Sequence, residues 1–306
     1  MPQSPKIAIV TCVNENWLAP ACVTLLSVSR NLAATKADLF IVIDTLSEQG
    51  QKGLAEFERK HKITIKLIIH PPEVFTKLDA HRYSNATFMR LYLPQVIGPE
   101  YDRLLYLDSD VLAFSDLTSL LTCDLGGKAL GAVPEVKMAP RRGVLTDQLR
   151  NKIGFPKNQD YFNAGVLLFD WPQTCAKDLL GKTRALLHSG VQFKFFDQDA
   201  LNLVFQDDWK ALPLTWNVEQ SAACYLGVEP SLRHFNHAAK PWYWKNIMGY
   251  APYHKYYVDA LNGLALSAFL QQPKRGNPLF ASAEYYFRKA SLHQRRFLMK
   301  RYKQLL

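Results

Sequence analysis

The sequence predicts an α/β protein with a mainly parallel, Rossmann-like sheet and helices on both faces. Continuous apolar runs, which are typical of buried strands, alternate with segments of helical spacing. Right-handed crossovers between parallel strands produce this alternation. The composition is that of an ordinary globular protein, because 48% of the 306 residues are hydrophobic and 21% are charged. No apolar run reaches the 18 residues that a membrane span needs.

The first half of the chain shows the clearest alternation. Apolar runs predict strands at 6–13, 38–44, 63–69 and 103–107, and helical spacing predicts helices at 18–33, 47–61 and 85–97. Ser47 is the predicted N-cap of the second helix. Beyond residue 125 the alternation loosens. The predicted elements there are strands at 128–134, 164–170 and 231–235 and helices at 174–188 and 198–205.

The triplet Asp108-Ser109-Asp110 ends a predicted buried strand. Two carboxylates at this place need either solvent or a cation, because an unpaired buried charge is costly. Ligands of open α/β sheets bind at the carboxyl ends of the strands. Residues i and i+2 of a strand share one face, so Asp108 and Asp110 can converge on one cation that prefers oxygen ligands. The chain has two D-x-D patterns and chance predicts about one, so a solvated strand end is the competing interpretation.

A second polar cluster lies in RHFNHAAKPW, residues 233–242. A histidine such as His234 beside two carboxylates would favour manganese over magnesium, because manganese tolerates nitrogen ligands better. Lys240 would suit a phosphate group. Taken singly, each histidine of this stretch also fits an ordinary packed or exposed position.

Further polar side chains stand in YFNAGVLLFD and FDQDALN. Asn163 at a strand start and the pair Asp197 and Gln198 at a helix start suit ligands that are rich in hydroxyl groups. The competing interpretation is helix capping, for which Asp197 is well placed.

Seven stretches, taken together in this order, resemble the family 8 glycosyltransferases. They are VNENW, ATFMRLYLP, LLYLDSDVL, DLGGKALGAVPE, YFNAGVLLFD, FDQDALN and HFNHAAKPW. The resemblance covers residues 6–245 and is greatest to the bacterial lipopolysaccharide galactosyl- and glucosyltransferases. It implies a GT-A fold, a UDP-sugar donor (UDP-galactose or UDP-glucose), a divalent metal (Mn2+ or Mg2+) and retention of the α configuration.

The resemblance also implies which residues form the site. Asp108, Asp110 and His234 match the metal ligands. The implied donor-binding residues, among which Trp17 stands at the place of a stacking aromatic, are Asn14, Glu15, Asn16, Trp17, Arg90, Asp108, Ser109, Glu135 and Lys240. The implied catalytic residues are Asn163, Asp197 and Gln198, and Gln198 falls on the β face of the sugar. Covalent and front-face mechanisms of retention both stay open.

Three positions depart from the family pattern. Asn14 stands where an aspartate is more frequent, which turns an acceptor-only contact to uracil into one that both accepts and donates. Glu135 replaces a frequent aspartate and changes the sugar pocket by one methylene. His237 replaces the glycine of the H-F-x-G motif, whose backbone approaches the diphosphate.

We divide the chain into a GT-A catalytic domain, residues 1–250, and a C-terminal tail, residues 251–306. Residues 1–125 are the predicted nucleotide-sugar-binding half, and residues 126–250 are the predicted acceptor and catalytic half. The tail is aromatic and basic: from Lys274 onward it holds nine lysines and arginines against one acid, so most of the net charge of +10 lies there.

The last segment, 284–306, predicts a basic amphipathic helix. Lys289, Arg296, Lys300 and Lys303 form one stripe, with apolar residues near the opposite side. Such a helix suits an anionic membrane surface. The expected location is cytoplasmic, peripheral on the inner face of the cytoplasmic membrane, and a solvated helix packed on the body is the alternative. Five cysteines without metal-finger spacing agree with reduced thiols in the cytoplasm.

Three other functions compete with the transferase. A sugar nucleotidylyltransferase would have a glycine-rich phosphate loop after the first strand, where this chain has VNENWLAP. A nucleic-acid-binding protein would carry its basic charge on the folded body, which here is nearly neutral. A degenerate transferase fold would bind a sugar nucleotide without turnover. We expect no nucleic-acid partner, whereas the donor sugar, the acceptor, the linkage and the oligomeric state are not encoded in any motif.

Overall fold

A seven-stranded sheet and a two-stranded sheet organise the protein in a computed structural model. The described residues are 4–33, 35–70, 85–135, 151–156, 159–191, 193–219, 223, 227–236, 240–243, 250–270, 300 and 304. The strands are β1 (Ile7–Val13), β2 (Ala37–Ile43), β3 (Lys66–Ile69), β4 (Arg103–Leu107), β5 (Val111–Ala113), β6 (Leu130–Pro134), β7 (Phe162–Asp170), β8 (Trp209–Ala211) and β9 (Leu232–His234).

The helices lie between these strands in the predicted alternation. The α-helices are α1 (Leu18–Arg30), α2 (Glu48–His61), α3 (Leu93–Val96), α4 (Thr118–Leu121), α5 (Trp171–Ala176), α6 (Leu179–His188), α7 (Phe196–Val204) and α8 (Ala251–Leu261). Four 3-10 helices are Glu15–Trp17, Asn85–Tyr92, Leu214–Asn217 and Ala265–Phe269. Ser47 caps α2 as predicted, since its side chain accepts a hydrogen bond from the backbone N–H of Gly50.

The large sheet has the strand order β3-β2-β1-β4-β7-β6-β8. All of its strand pairs are parallel except the two that β7 makes with β4 and β6. The prediction of a mainly parallel sheet is therefore confirmed. In the small sheet, β5 pairs antiparallel with β9 and places Val111 opposite His234.

Helices cover both faces of the large sheet, as predicted. Along β1, Ile7 and Ile9 belong to the apolar cluster that contains α1 and α2, whereas Ala8 and Val10 belong to the cluster that contains α6 and α7. Side chains alternate between the faces of a strand, so an uninterrupted apolar strand implies apolar layers on both sides.

Two predicted helices differ in the structure. The helix predicted over 174–188 is divided into α5 and α6, with Asp178 between them at a φ of 48°. The segment predicted as a single α-helix over 85–97 is a 3-10 helix, Asn85–Tyr92, followed by the short α3. Pro94 lies in the first turn of α3 and has no backbone N–H to donate, so an α-helix cannot run through it undisturbed.

Residues 251–270 pack against helices α1 and α2, which cover one face of the large sheet. Tyr257 of α8 and Leu266 are fully buried, and the imidazole Nε2 of His61 in α2 lies 2.7 Å from the carbonyl oxygen of Ala260. The segments 271–299 and 301–303 lie outside the described residues, and with them three of the four residues of the basic stripe, so the domain boundaries and the tail helix stay predictions. Among the described residues, no helix has both the length and the apolar character to cross a membrane.

Candidate active site

A cavity of about 440 Å³ opens at the carboxyl edge of the large sheet. Asn14 follows β1, Asp108 follows β4 and Glu135 follows β6, so three parallel strands deliver polar residues to the same edge. Asn163 joins them from the start of β7 because that strand runs in the opposite direction. The predicted site residues that line the cavity are Asn14, Trp17, Arg90, Asp108, Ser109, Asp110, Glu135, Asn163, Asp197, Gln198, His234 and Lys240.

Two residues of the implied donor-binding set do not line this cavity. Asn16 is exposed, and the carboxylate Oε1 of Glu15 accepts a hydrogen bond from the backbone N–H of Ser47 at 2.8 Å. Glu15 therefore ties the loop after β1 to the start of α2. His237 lies outside the described residues.

Asp108, Asp110 and His234 form a group that fits a divalent metal. One ligand atom from each lies within 4.8 Å of the other two. The Nε2 atom of His234 is 3.2 Å from Asp110 Oδ1 and 3.7 Å from Asp108 Oδ2. Two carboxylates and one imidazole are suitable ligands for Mn2+, which accepts both oxygen and nitrogen.

The two aspartates meet through a turn, and the expectation that they share one face of a strand is wrong. Strand β4 ends at Leu107, and the backbone N–H of Val111 donates to the carbonyl of Asp108 at 3.2 Å. Strand β5 begins at Val111 and pairs with the strand that carries His234. The reversal between β4 and β5 thus brings the three ligands together.

The imidazole of His234 is buried and oriented from both sides. Its Nδ1 lies 2.9 Å from the Oδ1 of Asn217. On the other side it packs against Gly165 of β7, where a Cβ would lie 2.7 Å from Nδ1. Only a glycine leaves room for the ring at this position.

The charges of the site compensate one another. The Lys240 ammonium lies 2.6 Å from Asp110 Oδ2 and also donates to the carbonyl of Phe235 at 2.7 Å. Burial favours the neutral acid, but Lys240 and His234 outweigh it and hold the pKa of Asp110 well below its ordinary value. Burial likewise opposes protonation of His234, yet Asp110 and Asp108 together raise the pKa of His234 above its ordinary value. Neighbouring cationic groups therefore hold the Asp110 carboxylate ionised, which is the state that a divalent metal also needs.

Arg90 links Asp108 to Asp197 across the cavity. Its Nη2 donates to Asp108 Oδ1 at 3.0 Å, and its Nε lies 3.1 Å from Asp197 Oδ2. Its Nη1 donates to the carbonyl of Ala164 at 2.6 Å. Burial raises the pKa of Asp197 to about 6 although Arg90 opposes the shift. Asp197 is thus ionised at neutral pH and can accept hydrogen bonds from a ligand.

The side-chain amide of Gln198 is held at both ends. Its Oε1 accepts from the backbone N–H of Ala164 at 2.9 Å and from Asn163 Nδ2 at 3.3 Å. Its Nε2 donates to the hydroxyl of Tyr161 at 3.1 Å and to Glu135 Oε2 at 3.2 Å. The amide is therefore fixed in one orientation at the cavity wall.

The part of the cavity beside Asn14 and Trp17 contains an unused acceptor and an aromatic pair. Among the described residues, Asn14 Oδ1 is buried without a hydrogen-bond partner. Trp17 meets Trp242 edge-on with 5.5 Å between ring centroids, and the Lys240 ammonium lies 5.5 Å from the centre of the Trp17 ring. A buried acceptor without a partner costs free energy unless a ligand donates to it.

Sequence reasoning missed four residues that support this site. Asn217 and Gly165 hold His234, Tyr161 contacts Gln198, and the fully buried Asp199 accepts hydrogen bonds from the Tyr161 hydroxyl at 2.7 Å and from the backbone N–H of Phe195 at 2.9 Å. One signal in the sequence could have pointed to Asn217. It directly precedes the apolar Val218, and a polar side chain that is buried beside apolar residues needs hydrogen-bond partners.

Fold and cavity together define the class of this protein: it is a glycosyltransferase with a GT-A fold. The family model described as Glycosyl transferase family 8 matches residues 8–245, and the chain belongs to this family. The prediction of the family and of the fold is thus confirmed.

Relatives and solved structures of the same class support this identification. The chain is 26% identical over 263 residues to a lipopolysaccharide 1,2-glucosyltransferase of Escherichia coli K12, covering 81% of this chain and 75% of the relative. It is 26% identical over 252 residues to the glycosyltransferase GlyF of Streptococcus pneumoniae, covering 77% of this chain and 57% of that one. The crystal structure of the galactosyltransferase LgtC with donor and acceptor sugar analogues superimposes with a TM-score of 0.72 at 26% identity, over 82% of this chain and 95% of that one.

Proposed function

We propose that this protein is a metal-dependent, retaining hexosyltransferase. It moves galactose or glucose from UDP-galactose or UDP-glucose to a saccharide acceptor of the lipopolysaccharide core or of another glycolipid or glycan. The observation that carries the proposal is the convergence of Asp108, Asp110, His234 and Lys240 in one cavity beside a wall of fixed polar groups. The names of the relatives supply the sugar and acceptor classes.

The metal end of the cavity would hold the donor diphosphate. A divalent metal bound to Asp108, Asp110 and His234 supplies Lewis-acid stabilisation of the charge on the departing UDP. Lys240 has its ammonium next to Asp110 and can pass from this carboxylate to a phosphate oxygen. Asn14 Oδ1 is an acceptor for the N–H of the uracil, and Trp17 offers an aromatic face or edge.

The opposite wall would hold the sugar. Asp197 and Glu135 offer carboxylate acceptors for hydroxyl groups, and Asn163 adds an amide. Gln198 is held by Ala164, Tyr161 and Glu135. A pre-oriented amide dipole stabilises positive charge at a sugar carbon without reorganising, which is the electrostatic contribution that an oxocarbenium-like transition state needs.

The experiment that tests this function is UDP release from a panel of UDP-sugars with and without Mn2+. We expect slow release from UDP-galactose or UDP-glucose, dependent on metal and lost in Asp110→Ala. The matched control is Asp259→Ala, which removes an exposed carboxylate of α8 that pairs with Lys255. No release from any donor, together with no metal-dependent binding of UDP, would contradict the proposal and favour a degenerate fold.

We further propose that the protein acts in the cytoplasm, attached to the inner face of the membrane by its basic tail. The support is the concentration of positive charge after Lys274. Flotation with anionic liposomes tests it. The triple variant Arg296→Glu, Lys300→Glu and Lys303→Glu should lose binding, whereas a control triple on the body, Lys52→Glu, Arg59→Glu and Lys182→Glu, should keep it. Equal flotation of all three proteins would refute membrane attachment by the tail.

A further inference from the structure

We propose that Asn217 is a positioning residue. Through one chain of hydrogen bonds it fixes the metal ligand His234 and, at the cavity wall, the amide of Gln198. The inference rests on the proposed function. Asn217 ends the 3-10 helix Leu214–Asn217, is 2% exposed and does not line the cavity. It therefore contacts neither metal nor sugar and can act only through its neighbours.

The orientation of each amide in the chain follows from a backbone donor. The N–H of Gly165 donates to Asn163 Oδ1 at 2.9 Å, so this atom is the amide oxygen of Asn163. The group of Asn217 that faces this oxygen at 2.9 Å must then be its Nδ2, because two oxygens cannot share a hydrogen bond without a donor. Hence the group of Asn217 that faces His234 is its oxygen.

The oxygen of Asn217 determines the tautomer of His234. An amide oxygen only accepts, so His234 Nδ1, at 2.9 Å, carries the proton. A metal that took the place of the Nε2 proton would then meet this nitrogen on the side of the ring that faces Asp108 and Asp110. The backbone N–H of Gly165 thus fixes the orientation of the His234 imidazole through Asn163 and Asn217.

Asn217 also acts on Gln198, through its hydrogen bond to Asn163. Because Asn163 Oδ1 is occupied by Gly165 and Asn217, Asn163 Nδ2 faces Gln198 Oε1 at 3.3 Å. Gln198 Nε2 is thereby directed to Tyr161 and Glu135. Loss of the Asn217 donor would release Asn163 and, through it, the amide of Gln198.

Two substitutions separate the two arms of this chain. Asn217→Asp keeps an oxygen for His234 Nδ1–H but places a second oxygen against Asn163 Oδ1. Asn217→Leu removes both hydrogen bonds at similar volume. The matched control is Asn31→Asp, because the Nδ2 of Asn31 donates to the carbonyls of Ser27 and Ala113 outside the cavity.

The measurements are Mn2+ affinity in the presence of UDP, kcat for donor hydrolysis, and the imidazole 15N spectrum of the free protein. We expect Asn217→Leu to lose Mn2+ affinity by about 10- to 100-fold, the usual effect of removing the partner of a ligating histidine. Asn217→Asp should keep wild-type Mn2+ affinity and the Nδ1–H signal of His234 but lose kcat. The control Asn31→Asp should lose stability but keep the wild-type Mn2+ affinity, kcat and imidazole spectrum.

The proposal is overturned if Asn217→Leu binds Mn2+ and turns over like the wild type. It is also overturned if Asn217→Asp loses as much metal affinity as Asn217→Leu, because the two arms would then not be separable. The imidazole spectrum needs neither metal nor donor. An Nε2–H tautomer in the wild type would therefore refute the chain of hydrogen bonds directly, whereas a wild type with the expected tautomer but no UDP release would refute the proposed function alone.

Discussion

The shortest charged contact of the site joins Lys240 to Asp110, and it occupies a carboxylate that a metal would need. The Lys240 side chain is only 12% exposed, and its ammonium lies 2.6 Å from Asp110 Oδ2. In the free protein this lysine neutralises part of the charge that would otherwise attract a divalent ion. A metal and the lysine would therefore compete for Asp110 until a phosphate offered the lysine another partner.

Lys240→Met should consequently bind Mn2+ more tightly than the wild type when no nucleotide is present. With Mn2+ present, the variant should bind UDP at least about tenfold more weakly, because a hydrogen bond to a charged group contributes roughly 1.5–3 kcal/mol. Titration calorimetry measures both affinities. Lys240→Arg keeps the charge and serves as the control. Unchanged Mn2+ affinity in Lys240→Met would show that the lysine does not compete with the metal.

Asp197 should give the stability of the protein an unusual dependence on pH. Burial raises its pKa in the folded state to about 6 from an ordinary value of 3.8. The folded state therefore holds this proton more tightly than the unfolded state, so the stabilising contribution is complete below pH 3.8 and is lost as the pH rises through about 6.

The free energy of unfolding of the wild type, relative to Asp197→Asn, should accordingly fall between about pH 4 and pH 6.5 and stay constant above. At 1.36 kcal/mol per pKa unit the total change is on the order of 3 kcal/mol. Urea denaturation of both proteins across this range measures it. A difference that rises with pH would mean that Arg90 outweighs burial and holds the carboxylate ionised.

At the scale of single residues, the sequence was sufficient for groups that stand in compact motifs. Asp108, Asp110, His234 and Lys240 occur in two short stretches, and the structure brings them together. The supporting residues were out of reach, because Asn217 and Asn163 are 54 positions apart and only the fold makes them neighbours. Glu15 lies inside a matching motif, and in the structure its carboxylate contacts the start of α2; its role in donor binding stays a prediction.

At the scale of elements, β7 does more than fill the centre of the sheet. Its Gly165 accepts from the backbone N–H of Asp108 at 2.8 Å and leaves space for the imidazole of His234. The strand therefore positions two of the proposed metal ligands, Asp108 and His234, through its backbone alone. Its antiparallel direction also brings its first residues, including Asn163, to the edge where the parallel strands end.

Gly165→Ala should remove most of the metal affinity while the protein stays folded. The added methyl would overlap the ring of His234, which must leave its position between Asp110 and Asn217. We expect a loss of Mn2+ affinity of at least about tenfold and a loss of stability of roughly 1–3 kcal/mol from overpacking.

The control for this variant is Gly131→Ala in the neighbouring strand β6. A Cβ there meets side chains of Leu125 and Leu212, so the control is also overpacked but away from the metal ligands. Gly131→Ala should lose stability and retain the wild-type Mn2+ affinity. Wild-type metal affinity in Gly165→Ala would show that the ring of His234 has another way to reach the site.

The elements themselves were largely predictable where hydrophobic periodicity is long. Strand β1 and helix α2 lie close to their predicted limits. Strands β5 and β8 have three residues each, which is too short for a periodic pattern, and neither was predicted. Helix α8 lies in an aromatic, proline-containing stretch, and its packing on α1 could not be foreseen from local pattern.

At the scale of the whole molecule, the fold collects one polar cavity from distant parts of the chain. Residues from the loop after β1 to Lys240 line it. The bifunctional glycosyltransferase WbbM shares this fold with a TM-score of 0.69 over 95% of this chain, at 20% identity and over 53% of that chain. The fold thus persists where most side chains differ.

The central claim is that Asp108, Asp110 and His234 bind a divalent metal together with the donor diphosphate. Anomalous diffraction from a crystal grown with Mn2+ and UDP tests it most directly. We expect one manganese peak bonded to these three side chains and to the diphosphate, with Lys240 moved from Asp110 to a phosphate oxygen. UDP bound in the cavity with no metal at the three side chains would contradict it.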